Sequence, residues 1–123
     1  MPDNVFLDAL RRSATPPDQA AGVLATLDQC DGVRQYTGGA LECRRFPGFV
    51  TNLGQECRIV LRSPGSVEHI LFRAHVPASG FPVRLDLYEE DLVECRDQDT
   101  LRERLKEFLE HPTTRDAINS LSR

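Results

Sequence analysis

The chain reads as an α+β domain: an antiparallel, five- to six-stranded meander sheet with N-terminal and C-terminal helices packed on one of its faces. Three observations predict it. Apolar residues recur at helical spacing towards both ends of the chain and alternate with polar ones through the middle. The alternating segments are separated by short turns rich in Gly, Pro and Asn, and connections that short force neighbouring strands to pair antiparallel. The tripeptide Glu-Cys-Arg occurs three times, at 42–44, 56–58 and 94–96. On a strand each copy turns its Cys to one face and its Glu and Arg to the other, which suits a sheet with one core face and one face of cross-strand ion pairs.

Helical structure is expected over about residues 4–31. Residues 4–12 set Phe6, Leu7 and Leu10 on one stripe, with Asp3 as N-cap. Thr15-Pro16-Pro17-Asp18 opens a second helix: Thr15 can cap, Pro16 suits the first turn, and Asp18 favours the positive end of the helix dipole. That helix runs to about Cys30, buries Ala20, Leu24, Leu27 and Cys30, and stops at Gly32. Strands follow over about 33–96. Residues 33–37 and 40–46 form a hairpin about Gly38-Gly39. Turns at Pro47-Gly48, 52–54, 63–66 and 77–82 bound strands over 55–62, 67–76 and 83–88, and a short strand covers 92–96. Helices return over about 100–122. Thr100 and Glu103 form a capping box, Leu101, Leu105, Phe108 and Leu109 face inward, and His111-Pro112 ends the helix. Residues 113–116 start a last helix whose stripe is Ala117, Ile118 and Leu121.

A chain of 123 residues, 40% apolar and 28% charged, forms one domain over 1–123 and needs neither metal nor disulfide for stability. These values exclude a disordered, collagen-like or disulfide-framework protein. The apolar runs are three or four residues long, too short for a membrane span, and Asp3 and Asp8 stand where a secretory signal would be basic and then apolar. Cys30, Cys43, Cys57 and Cys95 show no C-x-x-C spacing and read as reduced, largely buried thiols of a cytoplasmic, bacterial protein. No metal site and no cofactor are expected.

The net charge of −4 is unevenly spread: −3 over residues 1–32, +3 over 33–88 and −4 over 89–123. Fourteen of the fifteen basic residues are Arg, the better bidentate donor to carboxylate and phosphate. Strand alternation assigns Arg44, Arg58, Val60, Arg62, His69, Leu71, Arg73, His75, Arg84 and Tyr88 to the outer sheet face, with Glu42, Phe46, Asp86, Glu94 and Arg96 beside them. Arg and aromatic residues are enriched at protein interfaces. The expectation is a non-enzymatic module that binds a protein partner or forms a homodimer through this face. A solvated face of Glu–Arg pairs is the competing structural reading.

A pI near 5.3 and the lack of stacked aromatics on adjacent strands speak against nucleic acid. No phosphate-loop, dinucleotide, zinc-protease or nucleophile-elbow motif occurs. The alternative function is a small-molecule-binding or enzymatic domain using His75, Asp86 and Tyr88 as an acid–base cluster. His69 and His75, six apart on one strand, are expected on the same face but too far apart to share a metal.

Overall fold

The computed structural model describes residues 4–7, 17–65, 68–87 and 91–122. The elements run α1 (Pro17–Asp28), a 3-10 turn (Gln29–Asp31), α2 (Gly32–Tyr36), β1 (Glu42–Thr51), β2 (Gly54–Arg62), β3 (His69–Val76), β4 (Val83–Asp86), β5 (Val93–Cys95), α3 (Gln98–Glu110) and α4 (Pro112–Leu121). The five strands form one antiparallel sheet in the order β1-β2-β3-β4-β5, the expected meander. Before α1, residues 5–7 form a helical turn in which Asn4 Oδ1 accepts the Leu7 N–H at 3.0 Å, so Asn4 acts as the cap. The rest of the expected first helix, with Asp3, Leu10 and the Thr15-Pro16 start, lies outside the described residues.

One face of the sheet carries a single apolar cluster. Cys43, Cys57, Ile59, Leu61, Phe72, Ala74, Val76, Val83, Leu85 and Cys95 pack there against Val23 and Leu27 of α1, Leu101 of α3 and Ile118 of α4. The Phe72 and Phe108 rings meet edge to face at 5.6 Å. Helices from both ends of the chain thus cover the same face. The buried stripe of α1 centres on Val23 and Leu27, with Ala20, Leu24 and Cys30 half-buried, one position away from the expected line. Thr26, also buried, donates to Gly22 O and accepts from Gln98 Nε2, which ties α1 to the start of α3.

Several expectations are corrected. Residues 33–37 are not a strand: Gly32–Tyr36 is helical, and Gly32 (φ −57°) continues the helical path from the 3-10 turn instead of stopping it. Gly38 and Gly39 take left-handed φ of 63° and 89° and close the helix, with Gly39 N–H donating to Arg34 O at 2.8 Å. Five residues containing Val33 and Tyr36 fit a helical i, i+3 pair as well as an alternating strand, so the pattern alone misleads. Pro47-Gly48 is not a turn either. Pro47 pairs with Cys57 and Val50 with Gln55, so Gly48 and Phe49 together oppose Glu56 in a bulge. β1 is an edge strand, where a missing N–H costs no ladder bond, and that is why Pro47 is tolerated.

The cap of α3 is Asp97, whose Oδ1 accepts the Thr100 N–H at 2.7 Å, so Thr100 lies inside the helix rather than capping it. His111 separates the last two helices as expected and also caps α4, its Nδ1 accepting from Thr113 N–H at 3.2 Å. Leu109 and Ala117 are exposed, and Thr114 takes the buried place beside Ile118.

Candidate functional site

Period-2 alternation and the cross-strand register set the outer face row by row. One row is Phe46, Arg58, Arg73 and Asp86, and the next is Glu56, His75, Arg84 and Glu94. Arg44 pairs with Val60 and then Ile70, and Glu42 pairs with Arg62. Every apolar residue of the helix-side cluster lies on the opposite face.

The repeated tripeptide works as expected for its cysteines and differently for its charges. Cys43, Cys57 and Cys95 are buried in the core. The Glu and Arg of each copy pair along their own strand rather than across strands: Glu42–Arg44 at 3.8 Å, Glu56–Arg58 at 2.6 Å and Glu94–Arg96 at 3.5 Å. Residues i and i+2 share a face one pleat apart, close enough for two long side chains to meet. Arg73 and Asp86 form a cross-strand pair at 3.9 Å. This arrangement lets Arg58 and Arg73 stand directly opposite each other, each with its own carboxylate.

The bulge presents a residue that sequence alternation misses. The Arg58 guanidinium lies 5.7 Å from the centroid of Phe49, which is 75% exposed, and Phe46 in the same row is 41% exposed. A Cβ at Gly48 would collide with the Glu56 carboxylate, so the glycine lets Glu56 fold over the bulge towards Arg58. The signal for Phe49 was present as an exposed-type aromatic beside Pro47-Gly48, but reading that dipeptide as a turn removed it from the strand.

Two expected face residues are placed elsewhere by a second bulge. Ile59 pairs with Phe72 and Val60 with Ile70, which leaves Leu71 unpaired between them. Leu71 therefore joins Phe72 on the helix side and is buried in the core. Beyond the bulge the phase is reversed: exposed His69 pairs with Leu61, on the helix-side row, while His75 pairs with Glu56 on the outer face. The two histidines do not share a face. Val60 stays on the outer face but is only 5% exposed.

The acid–base cluster is also rearranged. Asp86 stands opposite Arg73, and His75 opposite Arg84, so the two are diagonal neighbours. Among the described residues, His75 Nδ1 and Arg73 Nε are buried without a hydrogen-bond partner. Tyr88 lies outside the described residues. Among the described residues no group of three His, Cys, Asp or Glu is placed to hold a metal ion, and no helix is long and apolar enough to cross a membrane.

A crevice of about 470 Å³ opens on the other side of the sheet, between α1–α2 and α3–α4. Leu71 and Phe72 form its floor, Leu27, Val33, Leu105 and Ile118 its walls, and Lys106, Glu110 and Arg115 stand among its lining. Tyr36 donates from its hydroxyl to Asn119 Oδ1 at 3.5 Å, linking α2 to α4. Leu71 reaches this floor only because the bulge turns it inward, so strand alternation could not foresee it there. Comparison of the chain with protein-family models, curated proteins and solved structures gives no match, and the geometry is what bears on function.

Proposed function

We propose that the protein is a non-enzymatic binding domain that engages a protein partner with an acidic surface, or a second copy of itself, through the outer face of β1–β3. The observation that carries this reading is the contiguity of exposed Phe46 and Phe49 with Arg44 and Arg58 on a face opposite the helices. Arg and aromatic side chains held rigidly on a sheet are the residue types that dominate binding energy at protein interfaces. The Phe49–Arg58 stack and the Glu56–Arg58 pair pre-order that patch, which lowers the entropy cost of docking. Arg62, Arg73 and Arg84 extend the same face, and the excess of Arg over carboxylate favours an acidic counterpart.

The test is association of the wild type and the double variant Phe49→Ala, Arg58→Glu. Self-association is read by sedimentation velocity over a wide concentration range, and partner capture by quantitative mass spectrometry at low and high salt. The proposal expects association or capture that weakens with salt and is lost in the variant, which stays folded with a melting temperature lowered only as far as loss of the Glu56–Arg58 pair accounts for. Equal association of the two proteins would overturn it.

The crevice favours a second reading, a site for a small apolar molecule with an acidic head group. Its lining is apolar at depth, and Lys106 and Arg115 supply cations. Native mass spectrometry of freshly purified, reduced protein separates the two. A dimer without added mass supports the sheet face; a monomer carrying a discrete extra mass that is lost in Leu71→Arg supports the crevice.

A further inference from the structure

Apolar surface is exposed on this chain in two places that the outer sheet face does not explain: the N-terminal turn and the mouth of the crevice. Val5, Phe6 and Leu7 are all exposed, Phe6 to 84%. Asn4 caps their turn through the Leu7 N–H, so the three side chains are displayed from an ordered backbone. None of them lines the crevice of its own chain. At the crevice, Tyr36 and Leu109 belong to the lining and remain exposed. Turn and crevice together hold five of the nine large apolar residues exposed among the described ones.

We propose that the protein forms a closed dimer in which the Val5-Phe6-Leu7 turn of each chain inserts into the crevice of the other. Shape selects the crevice over the sheet. At about 100° per residue, three consecutive helical side chains point around about 200° of the turn, so no flat face can cover all of them. A crevice can, with Leu71 and Phe72 as its floor and Leu27, Val33, Leu105 and Ile118 as its walls. Charge agrees with shape. Asp3 and Asp8 flank the triplet in the sequence, and the crevice lining carries Lys106 and Arg115 against one carboxylate, Glu110.

A second copy is the occupant because one chain carries both halves of the contact and leaves both exposed. A twofold axis satisfies the two at once, since the same turn-to-crevice contact then occurs twice and the assembly closes. The reciprocal exchange takes six apolar side chains out of water for a single loss of translational and rotational freedom. Residues 8–16 tether each turn to α1, and nine residues span at most about 32 Å, enough to cross to a neighbouring chain. The contact lies on the helix side and is independent of the outer-face reading.

The experiment measures sedimentation velocity of the wild type, Phe6→Asp and Leu109→Asp over a wide concentration range. Both positions are exposed, so neither substitution opens the core. The wild type should dimerise, and each variant should bind its own copy at least tenfold more weakly. Mixing the two variants should restore a heterodimer, because the intact turn of Leu109→Asp meets the intact crevice of Phe6→Asp. The outer-face variant Phe49→Ala, Arg58→Glu should keep the dimer. A dimer lost there and kept in Phe6→Asp would belong to the sheet face and overturn the proposal. With p-benzoylphenylalanine in place of Phe6, irradiation of mixed unlabelled and heavy-isotope chains should join the turn to α3 or α4 peptides of the other isotope. A monomeric wild type, cross-links confined to one chain, or cross-links to β1–β3 would overturn it. So would a copurified small molecule whose loss in Leu109→Asp leaves the oligomeric state unchanged.

Discussion

The two faces of this sheet are built from the same five strands and obey different rules. The helix side is closed and apolar: eleven strand residues, three of them cysteines, pack against four helical anchors in one cluster. The outer side is polar, and its order comes from ion pairs graded in exposure. Glu56–Arg58 and Arg73–Asp86 at the centre are half-buried, while Glu42–Arg44 and Glu94–Arg96 at the margins are open to water. Burying apolar area stabilises by about 25 cal/mol per Å² irrespective of partner, whereas an exposed ion pair contributes about 0–1 kcal/mol. The comparison teaches that stability lies on one face and that the other is free to present chemistry. Alternation along each Glu-Cys-Arg unit serves both at once.

Substitutions on the two sides sharpen or break that contrast. Leu85→Ala removes a fully buried side chain from the middle of the helix-side cluster. It should cost about 2–5 kcal/mol in urea unfolding with an unchanged m-value. A loss below about 1 kcal/mol would mean that the cluster is loosely packed and the contrast overstated.

Gly80 tests the seam between sheet and helices. Its φ is +88°, and a Cβ there would stand 2.8 Å from the Gln19 carbonyl carbon and 2.9 Å from the Ala20 nitrogen. Gly80→Ala should therefore cost about 1–3 kcal/mol, since both strain and a backbone clash oppose it. A neutral result in the same assay would show that α1 can lift from the β3–β4 turn without loss.

Asp97 adds a pH dependence on the helical side. The Thr100 backbone N–H holds its carboxyl below the ordinary aspartate value. A carboxylate with a lowered folded pKa contributes fully above the unfolded value, about 4, and loses its contribution as pH falls through the folded one. The melting temperature of Asp97→Ala should lie below that of the wild type at pH 7, and the two should converge in acid below about pH 4. A gap that does not narrow would assign the loss to something other than the charged cap.

The smallest effects belong to the outer face. Arg58→Ala strips a half-buried Glu56 of its partner and should cost about 1 kcal/mol. Arg44→Ala, at a pair 3.8 Å long and mostly exposed, should stay within about 0.5 kcal/mol. Thermal unfolding of both variants side by side checks the gradient. Equal losses would show that exposure does not grade these pairs.

Strand alternation, the later turns and the stop at His111 were legible in the sequence because each rests on local preferences, whereas the stop at Gly32 and the turn at Pro47-Gly48 were misread. The meander, the inward cysteines and the stop at His111-Pro112 all follow from such patterns. The helix at Gly32–Tyr36 was not legible, because five residues carry too little periodicity to separate it from a strand. The candidate face was partly legible: Arg44, Arg58, Arg62, Arg73, His75 and Arg84 follow strand parity, while Leu71 and His69 do not.

What the sequence determined by itself is therefore the class of fold, the strand order among neighbours and the two-sided chemistry of most strands, because backbone geometry converts a period into a face. What only the tertiary structure decided is where that period breaks and what meets across it. The bulges at Gly48-Phe49 and Leu71 are set by hydrogen-bond register against β2, which no residue type announces. They expose Phe49 to the outer face and turn Leu71 into the floor of the crevice.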